Sequence, residues 1–371
     1  MKLPPFTLGI EEEFMVIDPE TRELKSHVSE MITDQEQALP ELIHRELHQS
    51  VVEIGSKICE DIAEARHEVT YTRGTICRIA REHGLRIGAA GTHPFTPWES
   101  VETNDNPRYA KILDDLGVVA RANVVYGLHV HVGIEDKEDL IHVFNMARYF
   151  TPHILALSVN SPFWSGRDTG WKSYRTKVFE KFPRTGIPEA FGSFSEYEEL
   201  IVHLVKTNSI DNGKMIWWDI RPHWRYPTLE FRCCDVPMRV DETICIAALC
   251  QALVAKLYLL HKRNLSFRLH RRSLMMENKW RAARWGISGK LVDLGKMEEF
   301  PAKQLYHELL EFVDEVVDEL GVRKELDYLQ VILDNGTGAD RQLAKFEESG
   351  GDFKQVVDMI LDQTQEGLDC Q

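Results

Sequence analysis

The 371 residues suffice for one large domain or two modest ones, because a single hydrophobic core rarely grows beyond roughly 300 residues. A composition of 43% hydrophobic and 28% charged residues is typical of a globular protein and excludes a disordered or fibrous chain. The formal charge of -15 opposes attraction to nucleic acid or to an anionic membrane. Residues 1–5 lack the blocks of a signal peptide, and we expect no run of the ~20 apolar residues that a membrane span needs. The expectation is a cytoplasmic protein without nucleic acid or membrane partners.

Predicted strands and helices follow one another without a regular repeat. Alternating or β-rich runs predict strands at residues 6–17, 51–54, 85–90, 124–134, 215–221 and 228–234. Apolar residues at three-to-four spacing predict helices at residues 57–83, 137–158, 195–205 and 241–263. Because strands and helices do not alternate regularly, the pattern favours an α+β fold.

The remaining chain divides into a long loop and a helical end. Residues 160–192 are rich in Gly, Pro, Ser and aromatic residues, and a stretch of this length without regular structure is usually functional, so we predict a substrate or lid loop. Charged amphipathic helices are predicted at residues 302–320, 324–333 and 352–363, with a break at 334–338. We expect a catalytic domain over residues 1–300 and a C-terminal helical extension, 301–371, packed on the same domain.

Three consecutive carboxylates, Glu11, Glu12 and Glu13, lie inside an otherwise apolar predicted strand. Side chains alternate across a strand, so Glu11 and Glu13 share one face while Glu12 points to the other. Two like charges on a half-buried face repel one another unless a cation lies between them. A solvated edge strand is the alternative, and the apolar flanking residues disfavour it.

Two further segments carry residues suited to metal and phosphate binding. His129 and His131 share one face of the predicted strand GLHVHVG, a pattern that also occurs in zinc hydrolases. Glu230 and Arg232 lie two residues apart in TLEFRCCD and therefore also share a face. A carboxylate for a metal beside a guanidinium for phosphate suits phosphoryl transfer, whereas a cross-strand ion pair is the structural alternative.

Five motifs together resemble a known family. LGIEEEF, VVEIGSKICE, GLHVHVG, ALSVNSPFWSGRDTGWKSYR and IWWDIRPHWRYPTLEFRCCDVP occur in this order between about Leu8 and Pro237. They resemble the signatures of the carboxylate-amine ligase branch of the glutamate-cysteine ligase family. The resemblance implies a fold similar to the glutamine synthetase catalytic domain, which is a curved antiparallel sheet with helices on its outer face, here joined by a C-terminal helical layer. It also implies that ATP and Mg²⁺, with Mn²⁺ as an alternative, bind on the inner face.

The resemblance further implies roles for single residues. Arg232 would steady the transferred phosphoryl group, His131 would contact the ATP phosphates, and Arg221 would bind substrate carboxylate or nucleotide unless it forms a strand-end ion pair. We assign no role to His93. The implied metal ligands form two sets, Glu13, Glu53 and Glu60 for one ion, and Glu11, His129 and Glu230 for the other. The candidate substrate contacts are Asn160, Arg167, Ser173 and Arg175.

The predicted function is ATP-dependent carboxylate-amine ligation. A small-molecule carboxylate would be activated as an acyl phosphate, and an amine would attack it to give an amide, ADP and phosphate. The family name suggests glutamate and cysteine, and amino acids are the expected substrate class. The alternatives are a binuclear metal-dependent amide or ester hydrolase that uses His129 and His131, and a non-catalytic nucleotide-binding protein. We also expect a homo-oligomer, a dimer or larger.

Overall fold

The computed structural model describes residues 3–26 and 43–368, and the elements below are those of the described residues. The strands of the main sheet are β1 (Leu8–Ile17), β2 (Ile43–Arg45), β3 (Val51–Gly55), β4 (Arg86–Gly88), β5 (Gly127–Gly133), β10 (Ile220–Pro222) and β11 (Thr228–Asp235). Smaller pairs are formed by β6 (Phe163–Trp164) with β7 (Arg167–Asp168), β8 (Thr185–Gly186) with β9 (Trp217–Trp218), and β12 (Lys290–Asp293) with β13 (Glu298–Pro301).

The helices occupy most of the remaining described chain. They are α1 (Ile62–Glu82), α2 (Pro107–Leu116), α3 (Val118–Arg121), α4 (Lys137–Ala147), α5 (Thr151–Ser158), α6 (Tyr174–Phe179), α7 (Phe194–Lys206), α8 (Val240–Lys262), α9 (Arg272–Trp285), α10 (Ala302–Leu320), α11 (Arg323–Asn335), α12 (Gly338–Glu348) and α13 (Phe353–Thr364).

The main sheet has the strand order β10-β11-β5-β1-β3-β2, and each neighbouring pair is antiparallel. The short strand β4 pairs with the end of β1, with Met15 opposite Gly88. β1 therefore has partners along both edges, which makes it the central strand and places its side chains between those of β3 and β5.

One face of this sheet is apolar and covered by helices. Ile10 of β1, Leu128 of β5 and Phe231 of β11 are each at most 2% exposed and belong to a core that also contains residues of α4, α5 and α8. The C-terminal helices α10 and α11 contribute to the same core, and α13 packs into a second core with Phe14 of β1. The C-terminal helices therefore share their hydrophobic cores with the sheet.

The expectation that the chain contains no apolar run of membrane-spanning length was wrong. Among the described helices, α8 is long and apolar enough to cross a membrane, but 83% of its apolar window is buried inside the protein. A helix that is apolar all round is also what the centre of a globular core requires.

Local signals explain where the helices differ from the predictions. The helix predicted from residue 57 begins only at Ile62, because the Asp61 side chain caps it by accepting the Glu64 N–H. The helix predicted over 137–158 is divided into α4 and α5, and Pro152 occupies the first turn of α5, where its missing N–H is tolerated. The strand predicted over 215–221 is likewise divided, into β9 and β10.

The loop predicted over residues 160–192 contains regular structure. It includes the β6–β7 hairpin, helix α6 and strand β8. Strand β2 and helices α2, α3, α9 and α12 were not predicted. Helix α12 begins with a capping box in which Thr337 and Asp340 exchange hydrogen bonds, inside a region where the glycines had indicated only a break.

Candidate active site

The uncovered face of the main sheet carries most of the charged residues that the sequence analysis singled out. Antiparallel pairing places residues directly opposite one another, and opposite residues project from the same face. The opposed pairs are Glu11 with His129, Glu13 with Glu53, His131 with Glu230, and Glu230 with Arg221. The four strands β3, β1, β5 and β11 therefore converge on one acidic cluster.

Glu11 lies at the centre of this cluster. Its Oε2 is 2.9 Å from Nδ1 of His129, and its Oε1 is 3.4 Å from Nε2 of His131. Two overlapping groups of donor atoms result, and within each group the atoms all lie within 4.8 Å of one another. One group is Glu11, His131 and Glu230, and the other is Glu11, Glu53 and His129.

The electrostatics of the cluster fit a hard divalent cation. Burial, followed by repulsion from Glu46 and from the two carboxylates of β1, holds the pKa of Glu53 well above its ordinary value. Burial also acts to raise the pKa of Glu11, but hydrogen bonds from the two imidazoles outweigh it and hold that pKa well below its ordinary value. Donor groups of two carboxylates and one imidazole suit Mg²⁺ or Mn²⁺ better than zinc.

Two guanidinium groups border the acidic cluster. Glu230 is 1% exposed and accepts hydrogen bonds from Nε of Arg221 at 2.6 Å and from Nη1 of Arg232. Burial acts to raise the pKa of Glu230, but the charges of Arg221 and Arg232 hold it well below its ordinary value. Nε of Arg232 is buried and has no hydrogen-bond partner among the described residues, so it is a free donor suited to an anion.

A β-bulge in β11 changes which residues reach this face. Phe231 pairs with Val130 and Cys234 with Leu128, so two residues of β11 stand against one of β5. Arg232 remains on the face of Glu230, as predicted, but the extra residue reverses the alternation beyond it. Asp235 is consequently opposite Gly127, on the same face as the two histidines.

Glu12 points to the opposite face, and this prediction is confirmed. The residue is 1% exposed, and its side chain forms an ion pair with Arg73, whose Nε donates to Oε2 at 2.8 Å. The hydroxyl of Thr243 donates to Oε1 at 2.7 Å. The central glutamate of the triplet is thus paired within the helix-covered side of the protein.

Asn160 and Ser173, predicted to contact substrate, are bound by the protein itself. The amide nitrogen of Asn160 donates to the carbonyls of Ala89 and Val236, and Gln342 donates to its amide oxygen at 2.8 Å. The hydroxyl of Ser173 donates to Asp235 at 2.7 Å. Because these polar groups already have partners, the geometry gives a direct substrate contact no support.

The two predicted loop arginines differ in position. Arg175 is 4% exposed, its Nη2 is 3.5 Å from the Arg232 carbonyl, and its Nε is buried without a hydrogen-bond partner among the described residues. A Cβ at Gly127 would lie 2.3 Å from Nη2 of Arg175, so the guanidinium lies against the backbone of β5 on the face of the acidic cluster. Arg167 is exposed on the β6–β7 hairpin.

Two predicted metal ligands lie outside the close donor groups found among the described residues. Glu13 shares the face of Glu53, but its Oε2 accepts the Gly127 N–H at 2.5 Å. Glu60 is exposed, and its backbone N–H donates to Glu64.

The model of Glutamate-cysteine ligase family 2 matches residues 7–359, which is nearly the whole chain. The chain belongs to this family. It is 55% identical to a relative from Solibacter usitatus (strain Ellin6076) named "Putative glutamate–cysteine ligase 2", an alignment that covers 98% of this chain and 95% of the relative. Members of the family are ATP-dependent carboxylate-amine ligases, so the predicted activity on small molecules is confirmed.

Solved structures show the fold of this family 2 ligase. A glutamate–cysteine ligase from Francisella tularensis in complex with AMP is similar with a TM-score of 0.68 at 12% identity, covering 97% of this chain and 88% of that one. A bifunctional glutathione synthetase from Pasteurella multocida also has a TM-score of 0.68, at 14% identity, and here 97% of this chain spans only 53% of the neighbour. The predicted α+β fold, an antiparallel sheet with helices on one face, is confirmed.

Some residues of the ligase site were not singled out from the sequence. Asp235 is fully buried at the end of β11, Gly127 leaves room for the Arg175 guanidinium, and the His223 ring lies 5.5 Å from the His131 ring. Each belongs to a motif that carried the resemblance. The signal was therefore present in the motifs, although strand alternation continued through the bulge would place Asp235 on the opposite face.

Proposed function

We propose that this ligase uses Mg²⁺ and ATP to convert a small-molecule carboxylate into an acyl phosphate, which an amine then attacks to form an amide. The observation that carries the proposal is the pair of donor groups that share Glu11, bordered by the guanidinium groups on Glu230. A cation site beside forked phosphate donors is what phosphoryl transfer requires. The site needs no nucleophilic side chain for this reaction.

The proposed ligands of the metal ions start from these donor groups. The family resemblance implies Glu13, Glu53 and Glu60 for one ion, and Glu11, His129 and Glu230 for the other. The geometry supports Glu11, Glu53, His129 and Glu230 most directly and keeps Glu13 on the same face. Glu60 remains a prediction from the resemblance alone. When bound, the ions would neutralise the acidic cluster and the charge of the ATP phosphates.

The proposed phosphate contacts are Arg232 and His131. Arg232 is fixed by its bond to Glu230 and keeps Nε free, so it can donate to phosphoryl oxygens without moving. Nε2 of His131 is buried without a well-directed hydrogen bond among the described residues and can donate to the same anion. Arg221 uses Nε and Nη2 to hold Glu230, which favours an orienting role.

Arg175 is the proposed substrate anchor of the 160–192 region. Its free Nε and its position against Gly127 would direct a donor at a carboxylate on the face of the acidic cluster. Arg167 is exposed and would need to approach the substrate from the hairpin. The names of the relatives suggest glutamate and cysteine as the first substrates to examine.

The location and assembly of the ligase are also proposals. We propose a cytoplasmic homo-oligomer, a dimer or larger, as expected from composition and from the prevalence of symmetric assemblies. Light scattering coupled to size-exclusion chromatography would contradict the assembly if it gave the mass of one 42.8 kDa chain.

The decisive experiment measures ADP release from Mg-ATP with L-glutamate and L-cysteine, then with pooled amino acids. Ligation predicts ADP formation that requires both an acid and an amine. Calorimetry should show that ATP binds with excess Mg²⁺ and loses most of its affinity with excess chelator. Equal ATP affinity in both conditions would contradict the metal sites, and amide hydrolysis without ATP would contradict ligation itself.

A further inference from the structure

The C-terminal helices contact the region behind Arg175 through one side chain. Gln342 of α12 is fully buried, and its amide nitrogen donates to the backbone oxygen of Asn160 at 3.0 Å and to the side-chain oxygen at 2.8 Å. Gly338 lies so close that a Cβ there would be 2.1 Å from the Asn160 side-chain oxygen. The backbone N–H of Ala339 donates to the carbonyl of Val159. Helix α12 therefore fixes the start of residues 160–175.

Asp235 fixes the same segment from the sheet. Its Oδ2 accepts the backbone N–H of Asn160 at 2.8 Å and the hydroxyl of Ser161 at 2.6 Å, while its Oδ1 accepts the hydroxyl of Ser173 at 2.7 Å. One carboxylate thus holds both ends of residues 160–173. Since Asp235 is fully buried, these bonds are shielded from competition by water.

One further hydrogen bond connects these contacts to Arg175. The Ser161 hydroxyl oxygen accepts the Arg175 backbone N–H at 3.1 Å, and the Tyr174 N–H donates to the Ser161 carbonyl at 2.9 Å. The guanidinium of Arg175 then lies against Gly127 with its Nε free. A shift of residues 160–161 would therefore move a donor of the active site.

We propose that Gln342 and Asp235 are positioning residues, which hold residues 160–175 so that Arg175 meets the anionic group of the carboxylate substrate. The inference rests on the proposed function and gives the C-terminal helical layer a part in substrate binding. Gln342 is 182 residues from Asn160 along the chain, so the contact joins the active-site region to the C-terminal helices.

The test variant is Gln342→Leu, which removes both hydrogen bonds to Asn160 while keeping a side chain of similar size. The Gln342 side-chain oxygen already has no hydrogen-bond partner among the described residues, so an apolar replacement removes one buried unpaired group as well. The matched control is Gln363→Leu on α13, because this glutamine accepts from Arg341 and forms no hydrogen bond with Asn160. Asp235→Asn is the complementary variant on the sheet side.

The first measurement is hydrogen exchange of residues 160–175 by mass spectrometry, which requires no substrate. Gln342→Leu should accelerate exchange there by about tenfold, the effect of losing roughly one hydrogen bond's worth of local stability, and Gln363→Leu should not. Equal exchange in the two variants would overturn the proposal, whatever the ligase assay shows.

The second measurement is a kinetic cycle with Mg-ATP, L-glutamate and L-cysteine. Gln342→Leu should raise KM for glutamate by about tenfold with kcat little changed, because a misplaced anchor loses binding in both ground and transition states. In Arg175→Gln, which already lacks the anchor, adding Gln342→Leu should raise KM no further. If the double variant combined the full KM increases of both single variants, the positioning role would be overturned. A normal KM for glutamate in Arg175→Gln would overturn it as well, and in both cases ligation would remain established. Absence of ADP release in the wild type would instead count against the proposed function.

Discussion

Glu11 and Glu12 are neighbours in sequence, but the two faces of β1 treat their carboxylates in opposite ways. Glu12 is buried against Arg73 and Thr243, and its charge is balanced by fixed protein groups. Glu11 is surrounded by two histidines and by Glu53, whose pKa its negative charge helps to raise. Protein groups neutralise the carboxylate on the helix-covered face. On the face of Glu11 the negative charges lie together, where a bound cation would balance them.

The contrast separates residues that stabilise the fold from residues that serve chemistry. A buried charge paired in the folded chain is costly to change, because its partner is left without compensation. A charge that serves to bind a ligand is only partly balanced by protein groups, so its removal costs function more than stability. Four experiments follow, ordered from the largest expected effect to the smallest.

Glu11→Gln should reduce ADP release by on the order of 10²–10³-fold, because the amide keeps the size of the side chain but removes the charge that a hard cation prefers. The melting temperature should change little, because the loss of the charge-assisted hydrogen bonds from His129 and His131 is opposed by relief of the repulsion on Glu53. The measurements are Mg-dependent ADP release and a thermal melt. Near-native turnover in this variant would remove Glu11 from the site.

Glu12→Gln should give the reverse result, a large loss of stability with turnover retained. Removing one partner of a buried ion pair costs about 3 kcal/mol or more, because the Arg73 charge is then left uncompensated. Urea unfolding measures the loss, and ADP release per folded molecule serves as the control. A Glu12→Gln protein that is fully stable but releases no ADP would show that Glu12, and not Glu11, lies on the catalytic face.

Arg232→Lys and Arg73→Lys extend the comparison to the cations. Both arginines bind a buried glutamate, but only Arg232 keeps a free Nε on the acidic face. Lysine cannot reproduce the planar forked donor, so Arg232→Lys should lose about 10²-fold in turnover with little change in melting temperature. Arg73→Lys should lower the melting temperature instead. Equal turnover and equal melting temperatures in the two variants would contradict the separation of a functional Arg232 from a structural Arg73.

His93 tests the same principle through pH. Its Nε2 donates to the Arg22 carbonyl and its Nδ1 accepts the Thr96 N–H, while burial lowers its pKa to about 3. A histidine that must stay neutral when folded gains a proton more readily when unfolded. Its stabilisation is therefore complete above the unfolded pKa of about 6.5 and is lost as the pH falls towards 3.

The expected size of this effect is a loss of up to about 2 kcal/mol between pH 7 and pH 5. Urea midpoints at the two pH values measure it, and His93→Gln should show a shallower decline than the wild type. Part of the slope will remain, because burial also lowers the pKa values of His48 and His153 to about 4. Equal declines of the urea midpoint in the two proteins would show that His93 does not contribute to the pH dependence of stability.

The sequence predicted the acidic face well because strand alternation is a short-range rule. Glu11, Glu12 and Glu13 sit in a regular strand, so counting by two assigned each to its observed face. Helix α10 was predicted with its observed bounds, since its apolar spacing is regular over five turns. Strand β2 has three residues and too little pattern to detect.

Contacts between distant segments could not be obtained in this way. Asn160 and Ser173 were predicted to contact substrate because they lie in a motif of the predicted substrate loop, a stretch whose length indicates function. Nothing in the local sequence indicates that Asp235 and Gln342 occupy them. Helix α9 was missed because it is rich in arginine and its apolar face is weak, and it is ordered by packing on α5 and β12 rather than by its own periodicity.

The bulge in β11 has a consequence for the spacing between its charged residues. In a regular strand, residues separated by five positions are out of phase and project to opposite faces, but the extra residue brings Glu230 and Asp235 back into phase. Deleting Cys233 would remove the extra residue and leave Asp235 four positions from Glu230, an even separation that keeps both carboxylates on one face of a regular strand. Straightening the bulge without shortening the chain would instead turn Asp235 into the helix-covered core. The five-residue spacing and the bulge are therefore one geometric constraint, in which a change of one requires a change of the other.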